Sequence, residues 1–112
     1  FGMLSDKDID GVIAHLANHV DHWICCDLPG PRGTTAQMLA DHLHMAGIDD
    51  LVDRRKGIDR SVVCSTTPDE GLRLARRQAG PDDRIIVFGS FLTVALALPA
   101  VREDLSATPP SN

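Results

Sequence analysis

Four short stretches of the chain are nearly continuous in apolar residues: FGML at 1–4, HWICCDL at 22–28, VVCS at 62–65 and RIIVFGS at 84–90. Runs of this kind, rather than strict alternation, suit strands covered on both faces. The segments between them follow a different period. Ile9, Val12, Ile13, Leu16 and Val20 recur at helical spacing, after Ser5, Asp6 and Asp8, each of which has the chemistry of an N-cap. Thr34 or Thr35 then precedes a second helical stretch with Met38, Leu39 and Leu43 on one side and Gly47 as its stop. Thr67, Pro68, Asp69 and Glu70 in sequence are a strong start signal for a third helix. FLTVALALPAV at 91–101 reads as a buried helix ended near Pro99. Residues 48–61 carry no clean period and read as a loop or a weak short helix.

Apolar strands alternating with helices imply parallel pairing with crossover helices. The expected fold is an α/β domain with an open, mainly parallel sheet of about four strands and helices on both faces. At 112 residues the chain makes one domain. It is expected to span residues 1–102, followed by a disordered, polar and Pro-rich tail at 103–112.

Composition narrows the function. Apolar residues are 43% of the chain and charged residues 24%, as in a soluble globular domain. A formal net charge of −5 argues against a nucleic-acid surface, which needs a basic stripe to neutralise phosphates. No stretch approaches a membrane span, and the start lacks a basic signal-peptide region. Cys25 and Cys26 are adjacent and the cysteine count is odd, which disfavours a disulfide framework and fits a reducing cytoplasm.

In an open α/β sheet, ligands sit beyond the carboxyl ends of the strands. Three segments emerge there: SDKD after the first run, PGPRG after the second and GSF after the last. They bring Lys7, Arg32 and Ser90 to one rim, a combination suited to a carboxylate or phosphate. His15, His19 and His22 are spaced i, i+4 and i+7, but with no further ligand assigned they read as exposed helix positions, and no metal site is expected. Trp23 reads as a packing residue beneath the second loop. No nucleophile stands beside a base and no phosphate loop is present, so no catalytic residue is assigned. The rim has the character of half a site.

GMLSDKD, LPGPRG after a strand containing Trp23, and IIVFGSFLTVA, in that order, resemble the C-terminal domain of bacterial bifunctional dihydrofolate synthase/folylpolyglutamate synthase. That family is a branch of the Mur-ligase superfamily, and the resemblance runs from residue 1 to about 102. It implies a Rossmann-like domain set behind an ATPase domain that carries the P-loop and most of the ATP and Mg contacts. It also implies cytoplasmic folate biosynthesis: a carboxylate of dihydropteroate or a folate is phosphorylated, and the amine of L-glutamate attacks the acyl phosphate. On this resemblance Lys7 and Ser90 would hold the incoming glutamate, with Asp6, Arg32 and Gly89 supporting them. Leu92 stands where many members carry histidine. The family's Asp-x-Ala-His-Asn segment is not found in the sequence, so the chain reads as a piece truncated at its N-terminus and inactive alone. Apolar surface left by that truncation is expected to favour self-association. The competing reading is a free-standing α/β ligand-binding or interaction module. A receiver-type module is disfavoured because Gly89-Ser90 stands where it would carry a lysine, and a flavodoxin-type module because SDKDIDG is too acidic for a phosphate loop.

Overall fold

A computed structural model describes residues 1–4, 8–89, 93–98 and 100. The helices begin where the caps predict. Asp8 accepts from the Gly11 N–H at 3.0 Å and opens α1 (Ile9–Leu16). Thr35 Oγ1 accepts from Met38 N at 3.1 Å and opens α2 (Ala36–Met45), while the Asp27 carboxylate takes the Ala36 N–H at 2.6 Å. α3 (Pro68–Gln78) starts at Thr67, with proline in its first turn, where a missing N–H costs nothing. Residues 93–98 are also helical.

Among the described residues the sheet is mixed and has three strands, in the order β1 (His22–Cys25), β3 (Ile58–Cys64), β2 (Leu51–Asp53). β1 and β3 run parallel with Trp23 opposite Val62, whereas β2 and β3 form an antiparallel hairpin. The hairpin corrects the loop-or-helix reading of 48–61. Its turn is built by Asp53, whose carboxylate accepts from the N–H groups of Arg55 and Lys56, and by Gly57 at φ 67°.

The four-strand, mainly parallel expectation is met only in part. Residues 1–4 lie beside β1: Phe1 N donates to Ile24 O at 2.9 Å, and Cys26 N donates to Phe1 O at 2.8 Å. RIIVFGS is the most strand-like run in the sequence, and its described residues, 84–89, join residues 1–4 through a parallel bridge between Gly89 and Gly2. The expected tail at 103–112 lies outside the described residues.

Helices cover both faces of β1. Trp23 and Cys25 point into the main core with Ile9 and Ile13 of α1 and Leu39 and Leu43 of α2. Ile24 and Cys26 point the other way, against α3, which comes so close at Gly71 that a Cβ there would stand 2.4 Å from Cys26 Sγ. Met38, expected on the buried side of α2, is exposed; Ala36 and Ala40 complete the buried stripe instead.

Candidate functional site

The described part of the rim centres on residues 1–4, which are tied on both sides. On one side Leu4 bridges Gly33, and Met3 O accepts from both the Thr34 amide, at 3.1 Å, and Thr34 Oγ1, at 2.7 Å. On the other side Gly2 pairs with Gly89, its amide reaching Phe88 O at 3.4 Å and its carbonyl accepting from Thr93 Oγ1 at 2.7 Å. Thr34 and Thr93 are both 1% exposed, so each hydroxyl exchanges water for a fixed backbone partner.

Gly89 is a glycine for two reasons. Its φ of 121° is one that side chains avoid, and a Cβ there would lie 1.8 Å from Gly2 O. The two segments therefore touch backbone to backbone at this bridge.

Lys7, Ser90 and Asp6 lie outside the described residues, as does Leu92. The described residues that flank them are brought together. Asp8 caps α1 just after Lys7, Thr93 begins the helical segment just after Leu92, and the Gly2–Gly89 bridge holds the two approaches side by side. Arg32 is exposed in the loop closed by the Gly33 N–H on Gly30 O at 3.1 Å, one residue before the Gly33–Leu4 bridge. Gly89 is thus in the assembly through its backbone contact with Gly2, and Arg32 is on its border.

From the sequence Thr34 was read only as an alternative cap of α2, and Thr93 was not singled out. The available signal was a small hydroxyl beside glycine in two strand-end loops, PRGT and GSFLT. A further part of the same edge is the start of α3. There Asp27 N donates to Thr66 O at 2.7 Å, and the Asp69 carboxyl is held below its ordinary range by the Thr67 hydroxyl and by Arg73.

The cysteines are not poised for chemistry. Burial pushes the Cys25 thiol up to about 12 and raises Cys26 as well; at Cys64 residual desolvation and the charges of Asp27 and Asp41 also act upward. Among the described residues no group of three or more His, Cys, Asp or Glu side chains could hold a metal ion. The histidines make local contacts instead: His42 Nδ1 with Asp10 at 2.7 Å, His22 Nδ1 with Ser61 Oγ at 2.7 Å, and His44 with Asp49. No described helix is long and apolar enough to cross a membrane.

The family profile described as Mur ligase, glutamate ligase domain matches residues 1–91. A dihydrofolate synthase/folylpolyglutamate synthase of Escherichia coli is 38% identical over 94 residues, which is 84% of this chain and 18% of that protein. The Haemophilus influenzae enzyme of the same name is 38% identical over 96 residues, covering 84% of this chain and 19% of its own. A crystal structure of the bifunctional folylpolyglutamate synthase/dihydrofolate synthase of Yersinia pestis, complexed with AMPPNP and Mn ion, superposes with a TM-score of 0.72 at 39% identity. It covers 90% of this chain and 21% of the enzyme's. The chain thus spans about a fifth of the length of the relatives it matches. With fold, strand-end architecture and sequence in agreement, the chain belongs to the Mur ligase, glutamate ligase domain family, and is homologous to the C-terminal domain of the bifunctional folate enzymes.

Proposed function

We propose that the chain is the C-terminal domain of an ATP-dependent amide ligase that adds L-glutamate to dihydropteroate, to folates, or to both. In this reading the intact enzyme phosphorylates a carboxylate at the expense of ATP, and the amine of glutamate displaces phosphate from the acyl phosphate. The ATPase domain supplies most of the ATP and Mg contacts. The 112-residue chain closes over that domain and is not catalytic alone. Its domain extends over residues 1–102, and it works in the cytoplasm.

Lys7 and Ser90 hold the glutamate, the lysine as a point charge for a carboxylate and the serine as a hydroxyl donor. Asp6, Arg32 and Gly89 support them. The observation that carries the assignment is the parallel Gly2–Gly89 bridge, locked by Thr93 Oγ1 on Gly2 O at 2.7 Å. Lys7 and Ser90 continue the chain from that bridged pair, so their approaches share one edge of the sheet. The same bridge, with Phe1 bonded to β1, supports a further parallel strand at 84–89 in the intact enzyme.

The test is glutamate-dependent phosphate release from ATP by the intact enzyme with dihydropteroate. Lys7→Ala and Ser90→Ala should raise the KM for glutamate about 10- to 100-fold, the scale of a hydrogen bond to a charged group, roughly 1.5–3 kcal/mol. The KM for ATP should stay put. Unchanged glutamate dependence would remove these residues from the site while leaving the family assignment standing.

A further inference from the structure

β2 is the outermost strand of the sheet, at the opposite edge from residues 1–4, and among the described residues no strand pairs with its free side. The direction of its backbone groups follows from β3. Ser61 N and Ser65 N donate to Asp21 O and Cys25 O on the β1 side, at 3.1 and 2.7 Å, so the odd-numbered residues of β3 face β1. The even-numbered ones face β2, where Val62 N donates to the Asp50 carboxylate at 2.7 Å. Ile58 and Arg60 stand opposite Asp53 and Leu51, which therefore direct their backbone groups at β3. Val52, between them, turns its N–H and C=O to the open edge. It is 67% exposed, and Leu51 beside it is 46% exposed.

The charges around this edge are ordered. Asp49 and Asp50 precede β2, and Arg54, Arg55 and Lys56 follow it. The three cations are exposed, and none has an ion pair among the described residues. Asp50 uses one carboxylate oxygen for Val62 N, and Asp49 contacts His44. Residues 49–56 thus run from acid through an apolar pair to base. Laid antiparallel on a copy of itself, such a segment brings its acidic end to the basic end of the other.

We propose that the β2 edge is an interface for a second copy of this chain, formed by antiparallel β2–β2 pairing about a two-fold axis at Val52. The Val52 N–H donates to Val52 O of the second copy, and the reciprocal bond closes the pair. The two Val52 side chains then lie side by side on one face of a continuous sheet, removed from water. In this register Asp50 is opposite Arg54 of the second copy and Asp49 is opposite Arg55, each pair occurring twice by symmetry. The neighbouring two-fold registers set Asp53 against Asp49 or against Asp53 of the second copy, so like charges disfavour them. An unrelated acidic peptide would satisfy the arginines but would leave Asp49 and Asp50 facing acid. A second copy answers both signs at once. Because β2 lies across the sheet from residues 1–4, this pairing does not involve the Gly2–Gly89 bridge.

Sedimentation equilibrium of the 112-residue chain tests the proposal. The mass should rise from one copy at about 10 µM toward two at about 1 mM, as suits a small and weak interface. Val52→Pro removes the outward N–H and no bond to β3. It should abolish the dimer while amide exchange in β1 and β3 stays as in the wild type. Arg54→Glu with Arg55→Glu should raise the dissociation constant at least about tenfold, and mixing that chain with one carrying Asp49→Lys and Asp50→Lys should restore association as a mixed pair. A wild-type chain that is strictly monomeric at about 1 mM overturns the proposal. So does a dimer that survives Val52→Pro, which would assign the contact to another surface, such as that around the exposed Ile85 and Ile86. A monomer whose Val52 N–H gains protection only with poly-L-glutamate would hand the edge to an acidic partner and likewise overturn the second copy.

Discussion

Residues 84–98 are richer in apolar residues than the first half of the chain, yet the two regions meet opposite fates. Around β1, eleven buried residues from Phe1 to Ile48 close into one core. At the other end, among the described residues, only Leu72, Ala97 and Ala100 are buried together, while Ile85, Ile86, Val94 and Leu98 face outward. The difference is not hydrophobicity but neighbours. β1 has β3 on one edge, residues 1–4 on the other and helices on both faces, whereas 84–88 has a ladder partner only at Gly2. A run of isoleucines states what a segment can bury; the chain beside it decides whether it does.

The sharpest way to break this comparison is truncation in each region. Leu43→Ala, at a fully buried side chain, should cost roughly 2–5 kcal/mol in denaturant unfolding. Ile86→Ala in the same 112-residue chain should stay within about 0.5 kcal/mol, as for an exposed site. Equal losses would mean that the two regions are packed alike.

Two glycines with positive φ give the next contrast. Gly57 at φ 67° has nothing within 4 Å of a built Cβ, so Gly57→Ala should cost about 1 kcal/mol of backbone strain alone. Gly89→Ala meets Gly2 O as well and must part the bridge. Its loss should exceed that of Gly57→Ala by roughly 1–3 kcal/mol and carry the glutamate KM with it in the intact enzyme. A Gly89→Ala enzyme with ordinary stability and KM would detach the bridge from the rim.

The mildest probe is thiol labelling. Cys64 is exposed, while Cys25 and Cys26 are buried with thiols pushed upward. Iodoacetamide at pH 8 should modify Cys64 first, and slowly, because its own thiol is also raised. Cys25 and Cys26 should react only at the rate of global unfolding. Early labelling of Cys26 would show that α3 lifts off β1 on its own, loosening the face behind Gly71.

Much of the molecule was legible in the sequence because helix signals are local. Asp8, Thr35 and Pro68 mark helix starts by groups within four residues, and the observed helices begin there. The strand-end motifs were enough to name the family; of the segments expected on one edge, SDKD, PGPRG and GSF, Gly33 and Gly89 bridge to residues 2–4, while Lys7 and Ser90 lie outside the described residues. The β2–β3 hairpin was missed although Asp53 and Gly57 are turn residues, because polar Asp59, Arg60 and Ser61 hide the strand period. Met38 was placed in the core because its spacing alone cannot tell which flank of an apolar stripe meets the sheet.

By itself the sequence determined the helices, their caps, the α/β class and the family, since each depends on residues close in the chain or on motifs read in order. Only the tertiary structure decided that the sheet is mixed, that Thr34 and Thr93 anchor residues 1–4 from both sides, and that the described residues 84–89 meet Gly2 by an isolated bridge. A helix satisfies its own backbone, but a strand must find its hydrogen bonds in another segment, and which segment is there is a property of the folded chain.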